Sequence, residues 1–514
     1  MSKQTFIQGT IILIVAGLIT RVLGFVNRII TAKILGAEGV GLYMMAFPAL
    51  LLIITLTQMG LPVAISKLIA EAELNQDRTK MKRVLVVSLS VTGILSILFT
   101  LLLLGCAPIF ATFFLTDSRA LYPLIAITPI IPIVAVSAVL KGYFQGRQNM
   151  KPTASAQVIE QVVRISLVAL CTNFLMPYGL EYASAGAMLA SVAGEGASLL
   201  YLVKSFKQNK PIKVRSHFLK SLQKGRETFS DLMAIALPAT GSRLIGSISL
   251  FFEPIIISQS LALAGITTAA ATAQYGELTG FVIPILFLPT FITYSFSVSL
   301  VPAVSEAAAN NNFTAIQHRI RQTIRTALLA GVFSSIFLYT FAELVMNVMY
   351  DAPHTAYYLK ILAPFSIFLY IQGPLQAVLQ GLDLARSAMV NTLIGAIIKL
   401  AALFVLTSQP ELGIKGATLA IAINMVLVTL LHIHVVSKAC GFVIEGRFCL
   451  FVIGSGLLSV TGAHFFNQYF LAEFTVIIHA LSAVTISIAA YSLFLFTLGI
   501  LKWNQLKQLI PKIF

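Results

Sequence analysis

The sequence predicts an all-α polytopic membrane protein of about 14 transmembrane helices, arranged as two parallel six-helix repeats followed by two C-terminal helices. Three observations predict it: an apolar, charge-poor composition, apolar runs of membrane-span length along the whole chain, and an internal repeat. Of the 514 residues 58% are hydrophobic and 11% charged, with a mean hydropathy of +0.90. Soluble globular chains run nearer to roughly 45–50% apolar and 25% charged. The runs approach about 20 residues, more than a barrel strand needs, and lack a barrel's alternation.

The first run, 7–30, follows Met-Ser-Lys-Gln-Thr. One basic residue and no small-residue cleavage site predict a retained first span rather than a removable signal peptide. Runs at 40–65, 84–106, 121–144, 154–176 and 184–203 complete a six-span lobe, 1–203. Residues 204–231 carry eight basic residues interleaved with Phe206, Ile212, Val214, Phe218, Leu219 and Leu222. That pattern predicts a basic amphipathic cytoplasmic linker on the anionic inner leaflet, with a soluble linker as the alternative. Runs at 232–259, 274–302, 323–346, 358–380, 389–407 and 415–437 form the second lobe, 232–437, and runs at 448–468 and 475–501 fall in a final segment, 438–514, ending in a cytoplasmic tail.

The net charge of +16 is distributed as in a membrane protein rather than as in a nucleic-acid binder. With the N-terminus inside, 26 of the 35 basic residues fall on the even-numbered connections and the C-terminus, and four, Lys33, Arg119, Lys360 and Lys415, on the other side. The positive-inside rule then places both termini in the cytoplasm, with membrane lipid as a partner and nucleic acid as none. Five cations remain inside the spans: Arg21, Arg28, Arg164, Arg243 and Lys399.

The repeat is visible in short words. Thr20-Arg21-Val22-Leu23-Gly24 returns 222 residues later as Ser242-Arg243-Leu244-Ile245-Gly246. Leu140-Lys141-Gly142, with Arg147 and Met150, returns 239 residues later as Leu379-Gln380-Gly381, with Arg386 and Met389. Ala185-Gly186-Ala187-x-Leu189-Ala190 likewise returns as Lys415-Gly416-Ala417-x-Leu419-Ala420. Six is an even number of spans, so both lobes enter the membrane in the same sense. A substrate site is then expected at their interface, which is a transporter layout.

Gly17, Arg21, Gly24 and Arg28 recur at i, i+4, i+7 and i+11, on one helix face. A cation at the bilayer centre costs roughly 2.5–3.5 kcal/mol, so it turns toward a protein interior or a wet cavity. The pattern predicts an anion site within the membrane. Arg28, near the end of its span, could equally snorkel to the headgroups. Glu160 and Arg164 stand at i, i+4 with the acid first, the favourable order for a local pair. Lys399 occupies the repeat position of Glu160 and offers a competing partner, while Glu195, between Gly194 and Gly196, competes with Lys399. Glu253, just before Pro254, accompanies a helix kink or holds a coupling cation. Glu160, Glu195 and Glu253 are thus the gating or ion-coupling candidates.

Cys106, Cys171, Cys440 and Cys449 lack metal-ligand spacing and read as packing residues, and the seven histidines are scattered. No metal site and no catalytic residue is indicated. A membrane enzyme would need a large loop or an acid and histidine cluster at the surface, and neither is visible.

The Thr20-Arg21-Val-Leu-Gly24-Phe opening, Ala32-Lys-Ile-Leu-Gly36-Ala37, Gly60-Leu-Pro62 and the fourteen spans together resemble the polysaccharide-exporter branch of the multidrug/oligosaccharidyl-lipid/polysaccharide flippase superfamily. The resemblance covers the whole chain. It implies a flippase, not an enzyme, moving an undecaprenyl-diphosphate-linked peptidoglycan precursor such as lipid II to the outer leaflet by alternating access, in spore cortex synthesis. Cell-wall synthesis proteins are the partners it implies.

Lipid II flippases of this superfamily open with Ser-Arg-Val-Leu-Gly-Phe-x-Arg-Asp. Thr20, Arg21 and Gly24 match that pattern, but its second arginine falls on Asn27 here and its acid on Arg28. On this resemblance Arg21, Arg28, Arg243, Arg164 and Lys399 are the substrate-binding candidates. Two repeat-related arginines suit a diphosphate, because the guanidinium fork binds phosphate oxygens bidentately. No cofactor is implied, and the carrier is reset by membrane potential, Na⁺ or H⁺. Moving a charge of about −2 outward releases roughly 4.6 kcal/mol per 100 mV. A cation-coupled multidrug exporter is the alternative within the superfamily, although span one has two arginines and no acid, and a membrane enzyme acting on polyprenyl diphosphate is the alternative of another class.

Overall fold

The computed structural model describes residues 6–208, 225–443, 445–470 and 474–500. The predicted linker core and the C-terminal tail therefore lie outside the described residues. Helix dominates the rest, as expected where backbone groups cannot be satisfied by water.

The first and second predicted spans are one run of helix, α1 (Phe6–Gln58), broken at Gly36, whose φ of 66° and ψ of −174° no ordinary L-residue adopts cheaply. A second left-handed glycine, Gly60, then starts α2 (Leu61–Leu74), with Pro62 in its first turn. The order continues with α3 (Arg78–Ile109), α4 (Leu121–Ile127), α5 (Ile130–Gly146), α6 (Lys151–Leu175), α7 (Leu180–Gln208), α8 (Arg226–Leu263) and α9 (Thr268–Gly276). Then come α10 (Ile283–Phe287), α11 (Thr290–Ala309), α12 (Phe313–Thr340), α13 (Ala342–Tyr350), α14 (Ala356–Leu362), α15 (Ser366–Gly381), α16 (Ala385–Thr407), α17 (Ile414–Cys440), α18 (Gly446–Phe470) and α19 (Val476–Thr497).

Twelve apolar runs are long enough to cross a membrane among the described residues. The first, Val15–Leu74, is 60 residues long and holds two crossings. The eighth predicted span, 274–302, is not one helix. It passes from α9 through a π-helical turn at Glu277–Val282 into α10 and α11, with Pro284 and Pro289 at the joints. Counting that broken crossing and both parts of the first run recovers the fourteen spans.

The repeat is visible in packing. A Cβ on Gly142 of α5 would lie 2.9 Å from the Pro62 carbonyl and 3.2 Å from the Ile65 side chain. In the second half a Cβ on Gly381 of α15 would lie 2.9 Å from the Val301 carbonyl and the same distance from Val304. All three positions are offset by 239 residues, so the same glycine-mediated close crossing is built twice.

By packing, Met1–Gly280 with Thr407–Ile414 forms one unit, and Phe281–Leu406 with Lys415–Phe514 the other. The first is cored by Leu61, Ile65, Leu85, Tyr143, Phe144, Leu202 and Leu232, so α8 joins α2, α3, α5 and α7. The second is cored by Leu300, Val304, Ile320, Leu375, Val436 and Val452. Its buried phenol Tyr370 donates to the Leu286 carbonyl at 2.9 Å. The extra pair α18 and α19 packs on itself and on α12, where Tyr491 stacks on Phe333 at 5.0 Å and donates to the Leu329 carbonyl. Large apolar side chains such as Ile94, Leu101, Phe174, Leu200 and Phe404 are exposed, which suits a surface bathed in lipid.

Candidate intramembrane charge site

Arg21 and Arg28 are both exposed on α1, and Asn27 between them is buried. Arg243 is exposed on α8. The limb of α1 beyond the Gly36 break, which does not carry the arginines, meets α8 through a 2.8 Å hydrogen bond between the hydroxyls of Thr55 and Ser247. Ser247, one turn beyond Arg243, also donates to the Arg243 carbonyl at 3.0 Å. The repeat-related arginines belong to one packing unit, and both residues are exposed.

The remaining candidates divide sharply. Glu160 is paired with Arg164 one turn away on α6, at 2.5 Å, with side-chain exposures of 15% and 21%. Arg164 is one of the two partners offered by the sequence. Lys399 is buried on α16, a helix of the other packing unit. Glu253 is buried within α8, which runs helical from Arg226 to Leu263.

Glu195 is buried on α7 and accepts a hydrogen bond at 3.3 Å from Lys141 of α5. Its carboxyl also lies close enough to that of Glu160 for the two to interact electrostatically. Lys141, Glu195, Glu160 and Arg164 thus form one run across α5, α7 and α6 in which two carboxylates lie between two cations. Two carboxylates within hydrogen-bonding reach share a proton or repel, so the network can take up and release charge. Gly194 allows the approach, because a Cβ there would sit 2.8 Å from the Glu160 carbonyl.

Lys141 was expected on a cytoplasmic connection by its place in the charge count. The structure puts it inside α5, more than one turn short of the helix end, as one cation of this network. The signal for it was present in the repeat: Leu140-Lys141-Gly142 becomes Leu379-Gln380-Gly381, and Glu160 becomes Lys399, so the network's charges are specific to the first half.

Near the network, Asn27 Oδ1 of α1 and Gln161 Oε1 of α6 are buried acceptors with no hydrogen bond. Gly24, whose Cβ would meet Gln161 Oε1 at 3.8 Å, brings the two helices together there. The arrangement can hold an anion on the exposed arginines and exchange a cation at the buried carboxylates. Among the described residues no cluster of three or more metal-binding side chains occurs.

A family model described as polysaccharide biosynthesis protein matches residues 6–273, more than half of the chain. Stage V sporulation protein B of Bacillus subtilis (strain 168) is 52% identical over 99% of this chain and 98% of its own length. This chain belongs to the multidrug/oligosaccharidyl-lipid/polysaccharide flippase superfamily. Membership makes it a multi-pass membrane transporter rather than an enzyme. A second model of the superfamily, MatE, matches residues 248–405. The lipid II flippase MurJ of B. subtilis is 23% identical over 89% of this chain and 88% of its own.

Solved superfamily structures share the fold. That of lipid II flippase MurJ in an inward closed conformation has a TM-score of 0.69 and 15% identity, covering 95% of this chain and 99% of that one. An inward-facing multidrug resistance MATE family transporter has a TM-score of 0.66 and 19% identity, covering 82% and 94%.

Proposed function

We propose that this protein flips an undecaprenyl-diphosphate-linked peptidoglycan precursor, lipid II, from the inner to the outer leaflet of the bacterial cell membrane, with both termini in the cytoplasm. The observation that carries this reading is the exposure of Arg21, Arg28 and Arg243 within apolar spans, without an acid in the first span. Exposed guanidiniums at that depth hold phosphate oxygens bidentately. The near-full-length identity to a stage V sporulation protein supports a place in spore cortex synthesis. Likeness in sequence and fold to a lipid II flippase supports the cargo.

In this reading Arg21 and Arg243 hold the diphosphate, and Arg28 guides it near one end of its span. Arg164 and Lys399 contribute positive potential from within the lobes. Glu160 and Glu195 respond to the coupling cation, H⁺ or Na⁺, and Glu253 serves as a second, separate acid. The two sequence repeats, 1–203 and 232–437, are the bodies that rock, 204–231 links them along the inner leaflet, and 438–514 adds the last two spans and tail. Spans 13 and 14 pack on α12 and offer the apolar wall along which a polyprenyl tail would slide.

The MatE match and the MATE-like fold favour one rival, cation-coupled export of drugs. The sign of the site separates the two. Purified protein in nanodiscs should bind undecaprenyl diphosphate or lipid II with an affinity that falls as salt rises, since the attraction is screened over roughly 10 Å at 0.1 M salt. It should not transport ethidium. Saturable ethidium transport without binding of the diphosphate at low salt would replace the flippase by the drug exporter.

A further inference from the structure

At one end of the first packing unit, three chain connections converge on one buried carboxylate. Asp117, between α3 and α4, has a side chain 3% exposed. It accepts hydrogen bonds from the Thr272 hydroxyl at 2.7 Å, from Arg119 Nε and Nη2 at 3.1 and 3.0 Å, and from the Arg119 amide at 3.1 Å. Arg119 extends the chain to Glu38 at 2.7 Å. Glu38 lies two residues past the Gly36 break in α1, and Thr272 lies in α9.

The backbones beneath these side chains also touch. A Cβ on Gly41 would run into the Thr272 carbonyl, and one on Gly276 into that of Ala37. Alongside, Gln259 of α8 donates to the Phe113 carbonyl at 2.7 Å.

We propose that Glu38, Asp117, Arg119 and Thr272 form a latch that closes the outer end of the transport path and opens once in each cycle. The inference rests on the flippase reading for its orientation, which puts all three connections outside. Glu38, Asp117 and Arg119 belong to the first sequence repeat and Thr272 to the second, so rocking of the repeats pulls on this contact.

The chemistry suits a joint that separates. A permanent seal is made as well or better by apolar packing, whereas a buried ion pair adds specificity and little net stability, because its charges regain water when it opens. The contact between α1 and α9 is glycine against backbone, so it parts without withdrawing interlocked side chains. Asp117 lies outside the spans. Burial alone would raise its carboxyl, but the hydrogen bonds from Arg119 and Thr272 hold it below the usual carboxylate range.

The test uses the full-length protein with Cys106, Cys171, Cys440 and Cys449 replaced by serine. Met45, buried on α1 and one turn beyond Gly41 on the same face, is replaced by cysteine as the reporter. An impermeant maleimide is then added from outside. Asp117→Asn and Thr272→Val should each raise the labelling rate, Asp117→Asn by about tenfold, as expected for loss of charge-assisted hydrogen bonds. In a separate chain, Asp117→Cys with Thr272→Cys should cross-link on oxidation, cut lipid II export about tenfold or more, and recover on reduction.

Unchanged labelling in both single variants, failure of the cysteine pair to cross-link, or full export by the cross-linked protein would overturn the latch. Labelling needs no substrate. Faster labelling in a protein that exports no lipid II would therefore uphold the latch and overturn the cargo.

Discussion

Lys141→Met should unbalance the charge network and destabilise the first packing unit by about 2 kcal/mol. Lys141 Nζ lies 3.3 Å from Glu195 Oε1, with side-chain exposures of 22% and 6%. At that distance two unit charges attract by about 5 kcal/mol at an effective dielectric of 20, before desolvation is subtracted. Breaking one side of a buried pair costs about 3–5 kcal/mol in soluble proteins, while polar contacts between membrane helices average about 0.6 kcal/mol and reach about 1.7. The partial exposure of Lys141 places the single variant between those ranges. Glu195→Gln combined with Lys141→Met removes both charges and leaves Glu160 paired with Arg164, so the double variant should lose only about 1 kcal/mol. The assay is unfolding of purified protein in mixed micelles by rising dodecyl sulfate, followed by loss of helical ellipticity. A Lys141→Met loss under about 0.5 kcal/mol, or a double variant equal to the sum of the two singles, would refute a coupled network.

Arg21→Ala and Arg243→Ala should each abolish lipid II export in a leaflet-accessibility assay while the protein stays inserted, and lysine at either site should retain part of it, keeping charge but losing the fork; near-normal export by the double alanine variant would refute the diphosphate site. Exchanging Glu160→Arg with Arg164→Glu keeps the local pair in its less favourable order, so this swap should retain more thermal stability than Arg164→Met, which strands the acid. Gly41→Val should prevent closure of α1 on α9 and raise amide exchange in Thr268–Gly276, because its side chain has no space against the Thr272 carbonyl. The lowered carboxyl of Asp117 means that its contribution is complete above the ordinary carboxylate value and is lost as pH falls through the lower folded value. Exchange in the same segment, corrected for intrinsic rate, should therefore be flat from about pH 8 to 5 and rise below about 4, and a rise centred near neutrality would contradict it.

What the sequence determined is what hydrophobicity and periodicity determine locally. Each span is stabilised by its own backbone hydrogen bonds and its own transfer to lipid, so the run lengths and the repeated words suffice for fourteen crossings in two sixes plus two. The Arg21 and Arg28 face follows from helical spacing alone, and so does the adjacency of Glu160 and Arg164, which lie one turn apart. The tertiary structure decided what spacing cannot. Lys141 meets Glu195 across 54 positions of sequence, and Thr272 meets Asp117 across 155. Helix packing closes those distances; at Gly41 the absence of a side chain lets the backbones of α1 and α9 approach. Gly36 looked like part of a connection and proved to be the left-handed break that folds α1 and carries Glu38 toward Arg119. A charge's partner in a membrane is set by which helix faces it, and the facing helix is chosen by packing of small residues rather than by the charged residue itself.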